Sequence, residues 1–236
     1  MRLLITKPLT ESTNNEKLKV LWRCILFTVL IKFIGSLLIT VSKFSHFNGL
    51  TDLLKTEINL TDSFSTGISL LLVIIILPAV EEIAFRGWLT DSSNTIVISL
   101  TFFFYYLLNI LIKTIPILSQ IERPIKIELI IILLIIIFTL LIRNRKIISD
   151  QIRKHQSILL FISILSFTMI HALNYNIQTV NIETLLGLLV ILLPFPFHAY
   201  LLTYIRIKNG LQWSFTLHVF NNSLILFPVI FAGWKI

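Results

Sequence analysis

One cysteine, Cys24, stands in 236 residues, so no disulfide framework is available to staple a small secreted fold. It has no histidine or acid close by in sequence, which leaves a cysteine nucleophile without an activating base. Charge is also scarce: Asp and Glu number 12, and charged residues make up 14% of the chain. No internal repeat, low-complexity tract or interdomain linker is visible. HExxH, the helical spacing by which zinc proteases hold two histidines on one face, is absent. The N-terminal MRLLITKPLTESTNNEKLKV is polar and basic, without the short apolar core and small-residue cleavage site of a signal peptide. Val20 onward is therefore expected to be a retained span.

What the chain has instead is hydrocarbon. It is 56% hydrophobic with a mean hydropathy of +0.89, whereas soluble domains hold about 45–50% apolar residues. The apolar runs are continuous rather than alternating. In lipid, only helices and closed barrels satisfy their own backbone groups, and continuous runs select helices. The expected fold class is all-α, a polytopic membrane helical bundle, with residues 1–236 forming a single integral membrane domain. Seven spans are expected, at about Val20–Val41, Gly67–Leu89, Thr95–Lys113, Ile125–Ile142, Ser157–Asn176, Val180–Ile205 and Leu211–Ala232. The Leu193-Pro194-Phe195-Pro196 stretch is expected to kink or break the sixth.

The formal net charge of +8 does not point to nucleic acid, because the basic residues sit in short loops between apolar runs. Counting Lys and Arg by loop with the N-terminus inside gives twelve on the inner side and six on the outer. That bias places the N-terminus in the cytoplasm. An isoleucine- and asparagine-rich composition suggests an A+T-rich bacterial source, hence the bacterial inner membrane.

A few polar residues break the apolar pattern. Glu81 and Glu82 follow directly on LLLVIIILPAV in the second span. A charge at the bilayer centre costs about 2.5–3.5 kcal/mol on insertion scales, so such residues need partners. Arg86 lies four residues after Glu82 on the same helix face, in the favourable acid-before-base order. Glu81 is rotated about 100° away and must face a polar group or water inside the bundle. His171 stands near the end of the fifth span, and His218 and Asn222 share a face of the seventh. A lone buried histidine most often only satisfies a carbonyl. One carboxylate, two histidines and an asparagine on three separate spans are instead a plausible water-activating set. Glu81 is then the candidate general base, with His171 sharing its water. His218 and Asn222 are the candidate donors to the oxyanion formed when water attacks a peptide carbonyl.

These segments resemble the signature of the CAAX protease and bacteriocin-processing family, also called the Abi family, written EExxxR, FxxxH and HxxxN. Here they read Glu81-Glu82-Ile83-Ala84-Phe85-Arg86, Phe167-Thr168-Met169-Ile170-His171 and His218-Val219-Phe220-Asn221-Asn222, in the family's order. The approach TYIRIKNGLQWSFTLHVFNN is also similar. The resemblance covers about Gly67–Leu89 and Ser157–Ala232. It implies an intramembrane endopeptidase in which Glu81 and His171 activate water, His218 and Asn222 hold the oxyanion, and Glu82 pairs with Arg86. The mechanism it implies is metal-free, with no cofactor. The substrate it implies is a membrane-associated or lipidated protein, or a small peptide. The chain departs from the family's pattern between the first two motifs, where residues 87–166 give 80 residues in place of a short connection. A two-span insertion over about residues 95–150 would account for that length and keep the motif helices antiparallel.

Two rival functions use the same side chains. Glu81, His171 and His218 would suffice as zinc ligands with water in the fourth position. Alternatively the protein is a non-enzymatic immunity or scaffold protein that grips a peptide between helices. A proton-relaying transporter is a third idea, disfavoured by the missing repeat halves. Other residues have simpler expectations. His198 is read as kink-associated, His46 and His155 as solvated loop residues, and Glu183 as suited to a helix N-terminus. Arg23 and Lys32 are expected to snorkel or to face a neighbour. Trp88, Trp213 and Trp234 are expected in the interfacial belts.

Overall fold

The computed structural model describes residues 13–44, 66–172 and 182–232. His46 and Trp234, residues 173–176 of the fifth predicted span and residues 180–181 of the sixth lie outside them. The structure is 91% helical, with no strand among the described residues. It separates into two compact units. Unit 1 comprises Met1–Pro78 and Ile164–Ile236, and unit 2 comprises Ala79–Ser163.

In unit 1, helix α1 (Asn14–Phe44) is followed by the short α2 (Thr66–Leu71) and a π-helical turn, Leu72–Ile76. The unit then takes up the last residues of α8 (Gln156–Ala172), followed by α9 (Ile182–Leu192), α10 (Pro194–Asn209) and α11 (Leu211–Ala232). Helices α1, α10 and α11 pack on one another, and α11 packs on the π turn. The break in the sixth predicted span falls where expected. Helix α9 ends at Leu192 and α10 starts at Pro194, whose missing N–H is harmless in a first turn. Gly210 separates α10 from α11 at φ +105°, a backbone state that residues with a Cβ rarely adopt. Its N–H closes α10 on the Arg206 carbonyl at 3.0 Å. The Asn209 amide donates to the Lys17 carbonyl at 2.9 Å and ties this corner to the start of α1.

Unit 2 begins within α3 (Leu77–Arg86) and holds α4 (Ser93–Thr114), the single turn α5 (Pro116–Ser119), α6 (Arg123–Arg143), α7 (Arg145–Lys154) and the start of α8. Helix α4 starts at a Ser92 cap, whose Oγ accepts from the Thr95 N–H at 3.3 Å. Helix α6 starts with Pro124 in its first turn and packs along α4. The segment after α6, expected as a loop, is instead the ten-residue helix α7. Ser149 and Ile152, three positions apart on one face of α7, are buried against the unit. Its run is too short and too charged to register as a span.

Four helical segments are long and apolar enough to cross a membrane: Asn14–Leu38, Ser93–Ile112, Arg123–Arg143 and Ile182–Asn209. A fifth arises if α7 and α8, which meet at 91°, count as one broken span. The second expected span is helical from Thr66 to Arg86, but the π turn divides it and Glu81, Glu82 and Arg86 make its end polar. The exposed surface is what a membrane protein requires. Helix α6 has no buried residue, and Ile131, Ile132, Ile135 and Ile136 are 50–60% exposed. A continuous apolar face of this kind is not tolerated in water. Ile132→Arg, near the middle of α6, is expected to cost about 3 kcal/mol of insertion. A glycosylation-mapping assay of α6 insertion should read a clear drop in the inserted fraction.

Candidate functional site

The residues singled out in the sequence fall in both units. Glu81, Glu82 and Arg86 belong to unit 2, while His171, His218 and Asn222 belong to unit 1.

In unit 2, the end of α3 is buried and its backbone is fully tied. Arg86 Nη1 donates to Glu82 Oε1 at 2.7 Å, and both side chains are 1% exposed. The pair thus forms at the i,i+4 spacing the sequence carries. Phe85 is buried beside it, its ring edge-on to Phe103 at 5.8 Å and tilted on Tyr106 at 5.6 Å. Helix C-termini leave carbonyls without partners in the helix. Here side chains from elsewhere satisfy them. Ser99 Oγ donates to the Ile83 carbonyl at 2.6 Å, and Ser163 Oγ donates to that of Phe85 at 2.6 Å. Trp88 Nε1–H donates to the Phe85 carbonyl at 2.8 Å. Trp88 is only 7% exposed, so it is part of this buried cap and not of an interfacial belt, which corrects the expectation from its position near a span end. Gly87 is required by the same crowding. A Cβ there would meet the Ile83 carbonyl oxygen at 2.5 Å and Ser99 Cβ at 3.1 Å. Glu81, one position before this locked face, is half-buried.

In unit 1, α8, α10 and α11 bring a chain of rings together. Phe167 lies on His171 with centroids 4.5 Å apart and meets His218 edge-on at 5.8 Å. Phe195 covers His171 at 4.6 Å. His198 meets the His218 ring edge-on at 5.7 Å. His218 and His198 are 2% and 7% exposed. His198 therefore does more than accompany the proline kink. The phenylalanine of FxxxH contacts the rings of both motif histidines. His171 Nδ1 is 2.8 Å from the Phe167 carbonyl. A carbonyl only accepts, so Nδ1 carries the proton in this contact.

Asn222 is held by a backbone irregularity. Its Nδ2 donates to the Val73 carbonyl at 3.0 Å, and its Oδ1 accepts from Asn221 Nδ2 at 3.1 Å. In an α-helix the Val73 carbonyl would accept from Leu77. In the π turn the Leu77 N–H goes instead to Leu72. The next donor in π register would be residue 78, which is proline and has no N–H. Val73 is thereby left as an acceptor for Asn222. One Asn222 amide hydrogen is used in this bond, and the geometry of NH₂ leaves a second.

This linkage predicts coupling between Asn222 and Pro78. Asn222→Ala in the native background is expected to lose about 1 kcal/mol through the stranded carbonyl. In a Pro78→Ala background, residue 78 regains an N–H and the same change should cost much less. Denaturant unfolding of the four proteins of this cycle measures the difference.

Pro78, Val73, Ser99, Ser163 and His198 were not legible as site-supporting residues from spacing. Pro78 carried a usable signal, since a proline inside an apolar helical run frees a carbonyl one turn earlier. Among the described residues, no group of three His, Cys, Asp or Glu side chains is arranged to hold a metal ion. His155 is exposed at the end of α7, and Glu183 lies in the first turn of α9, both as expected. Compared with protein-family models, curated proteins and solved structures, the chain matches none.

Proposed function

We propose that the protein is an intramembrane endopeptidase that hydrolyses a peptide bond in a membrane-associated protein or a small peptide. The observation that supports this reading is the ring cluster of unit 1. It gathers His171 and His218 against Phe167, with Asn222 one turn further along the His218 helix and anchored to Val73. A histidine with its Nδ1 proton fixed on a carbonyl is suited to accept a hydrogen bond from water at Nε2. A buried imidazole and an amide at i, i+4 are suited to donate to one developing oxyanion.

On this proposal Glu81 takes a proton from water, and His171 holds the same water. The hydroxide attacks the peptide carbonyl, and His218 and Asn222 donate to the oxyanion. Collapse breaks the C–N bond, and the proton on Glu81 goes to the departing nitrogen, leaving a carboxylic acid and an amine. Glu82 and Arg86 keep the α3 end in shape. The scheme uses no cofactor. The proposal carries the full seven-span topology, with the N-terminus on the cytoplasmic side of a bacterial inner membrane. Its partners are lipid and a peptide or lipidated protein, not nucleic acid.

The test is an unbiased comparison of peptides released from membranes carrying the wild-type protein or Glu81→Gln. Products present only with the wild type support the peptidase. Identical profiles with both proteins at equal abundance would remove it.

A further inference from the structure

Helix α7 is short, strongly basic and set across the direction of the helix that follows. The stretch from Arg143 to Lys154 contains Arg143, Arg145, Lys146, Arg153 and Lys154 against one acid, Asp150. All five cations are exposed, and so is Ile147, at 64%. Helix α8 leaves α7 at 91°, and α6, the most apolar of the membrane-crossing segments, ends directly before it. A basic helix that joins two apolar helices and turns by a right angle into the second suits the membrane surface. Two of its arginines brace it on the α3–α4 loop and the first turn of α4. Arg145 Nη1 donates to Asn94 Oδ1 at 3.3 Å, and Arg153 Nη2 donates to the Asp91 carbonyl at 3.2 Å. Ser149 and Ile152 fill the face that meets the unit.

We infer that α7 is a docking surface for anionic phospholipid headgroups. The charge balance is one-sided, the helix is held rigidly by contacts that do not use its lysines, and the exposed Ile147 side chain beside Lys146 can enter the acyl boundary. This is the combination by which amphipathic surface helices select anionic lipid. The surface commits to lipid over a soluble anion because its cations stand beside the exposed apolar Ile147 and at the junction of two apolar helices. The inference does not depend on the proposed peptidase activity.

The test reconstitutes the full chain in mixed phosphatidylcholine–phosphatidylglycerol vesicles and compares spin-labelled forms of the two lipids. The fraction of each held motionally restricted by the protein gives the preference. At low salt the wild type should favour phosphatidylglycerol about fivefold, the attraction expected of a single near-surface cation. The preference should shrink at high salt. Lys146→Gln/Lys154→Gln leaves the Arg145 and Arg153 braces in place and should bring the ratio close to one. Lys17→Gln/Lys19→Gln removes the same charge elsewhere and should leave most of it. Absence of a wild-type preference, persistence of the preference in the α7 variant, or equal loss in the α1 variant would each overturn the inference. So would inorganic phosphate abolishing the preference where chloride of equal ionic strength does not.

Discussion

Arg86→Met is expected to destabilise the protein by about 3–5 kcal/mol, read as a large loss of unfolding free energy in detergent. The reason is geometric. Arg86 and Glu82 are each 1% exposed and meet at 2.7 Å, so removing the cation strands a carboxylate out of reach of water. Taking both charges away is a different experiment. Glu82→Gln/Arg86→Met removes the desolvation cost with the attraction and should recover most of the loss, since buried pairs often break even against apolar replacements of similar volume. A double variant as unstable as the single one would mean that the pair does something besides neutralise itself. The surrounding lock makes that outcome informative. Ser99, Ser163 and Trp88 all bond to α3 carbonyls within one turn of the pair, so the backbone there has independent support.

Glu81→Gln should remove the proposed activity without unfolding the protein. Gln keeps the shape and loses the basicity, so the rate should fall by about 10²–10⁴, the usual contribution of a positioned general base. His218→Ala should cost about 10²–10³, as loss of one oxyanion donor does. The readout is turnover of a peptide identified from the membrane comparison, at matched unfolding midpoints. A folded Glu81→Gln protein that still cleaves at more than a tenth of the wild-type rate would sink the base assignment. A folded protein that never cleaved but still bound its peptide would favour the gripping alternative.

The helical class was readable because lipid imposes it. Continuous apolar runs leave the backbone one inexpensive solution, and the described parts of the expected spans are helical except at residues 87–89 and at the Leu193 break. The Glu82–Arg86 pair was readable for the same kind of reason, since i,i+4 spacing is a local rule. The ring cluster was only half readable. FxxxH placed Phe167 and His171 together, but the approach of Phe195 and His198 depends on how α10 turns after Pro194, which no local spacing encodes. The role of Pro78 was hidden because its effect passes through a carbonyl five residues back and then to a side chain 149 positions ahead of that carbonyl. Helix α7 was missed because its buried face is only Ser149 and Ile152, too few apolar residues to outweigh its charges.

Helix α6 carries a further consequence. Its 21 residues give a rod of about 31 Å, close to the hydrocarbon thickness of an ordinary bilayer. Because it touches protein along its α4 side and leaves the rest of its surface exposed, its depth and tilt respond to the lipid around it. Acyl-chain length in the host membrane therefore becomes a mechanical input to unit 2: thinner or thicker bilayers should lean this helix against α4 by different amounts.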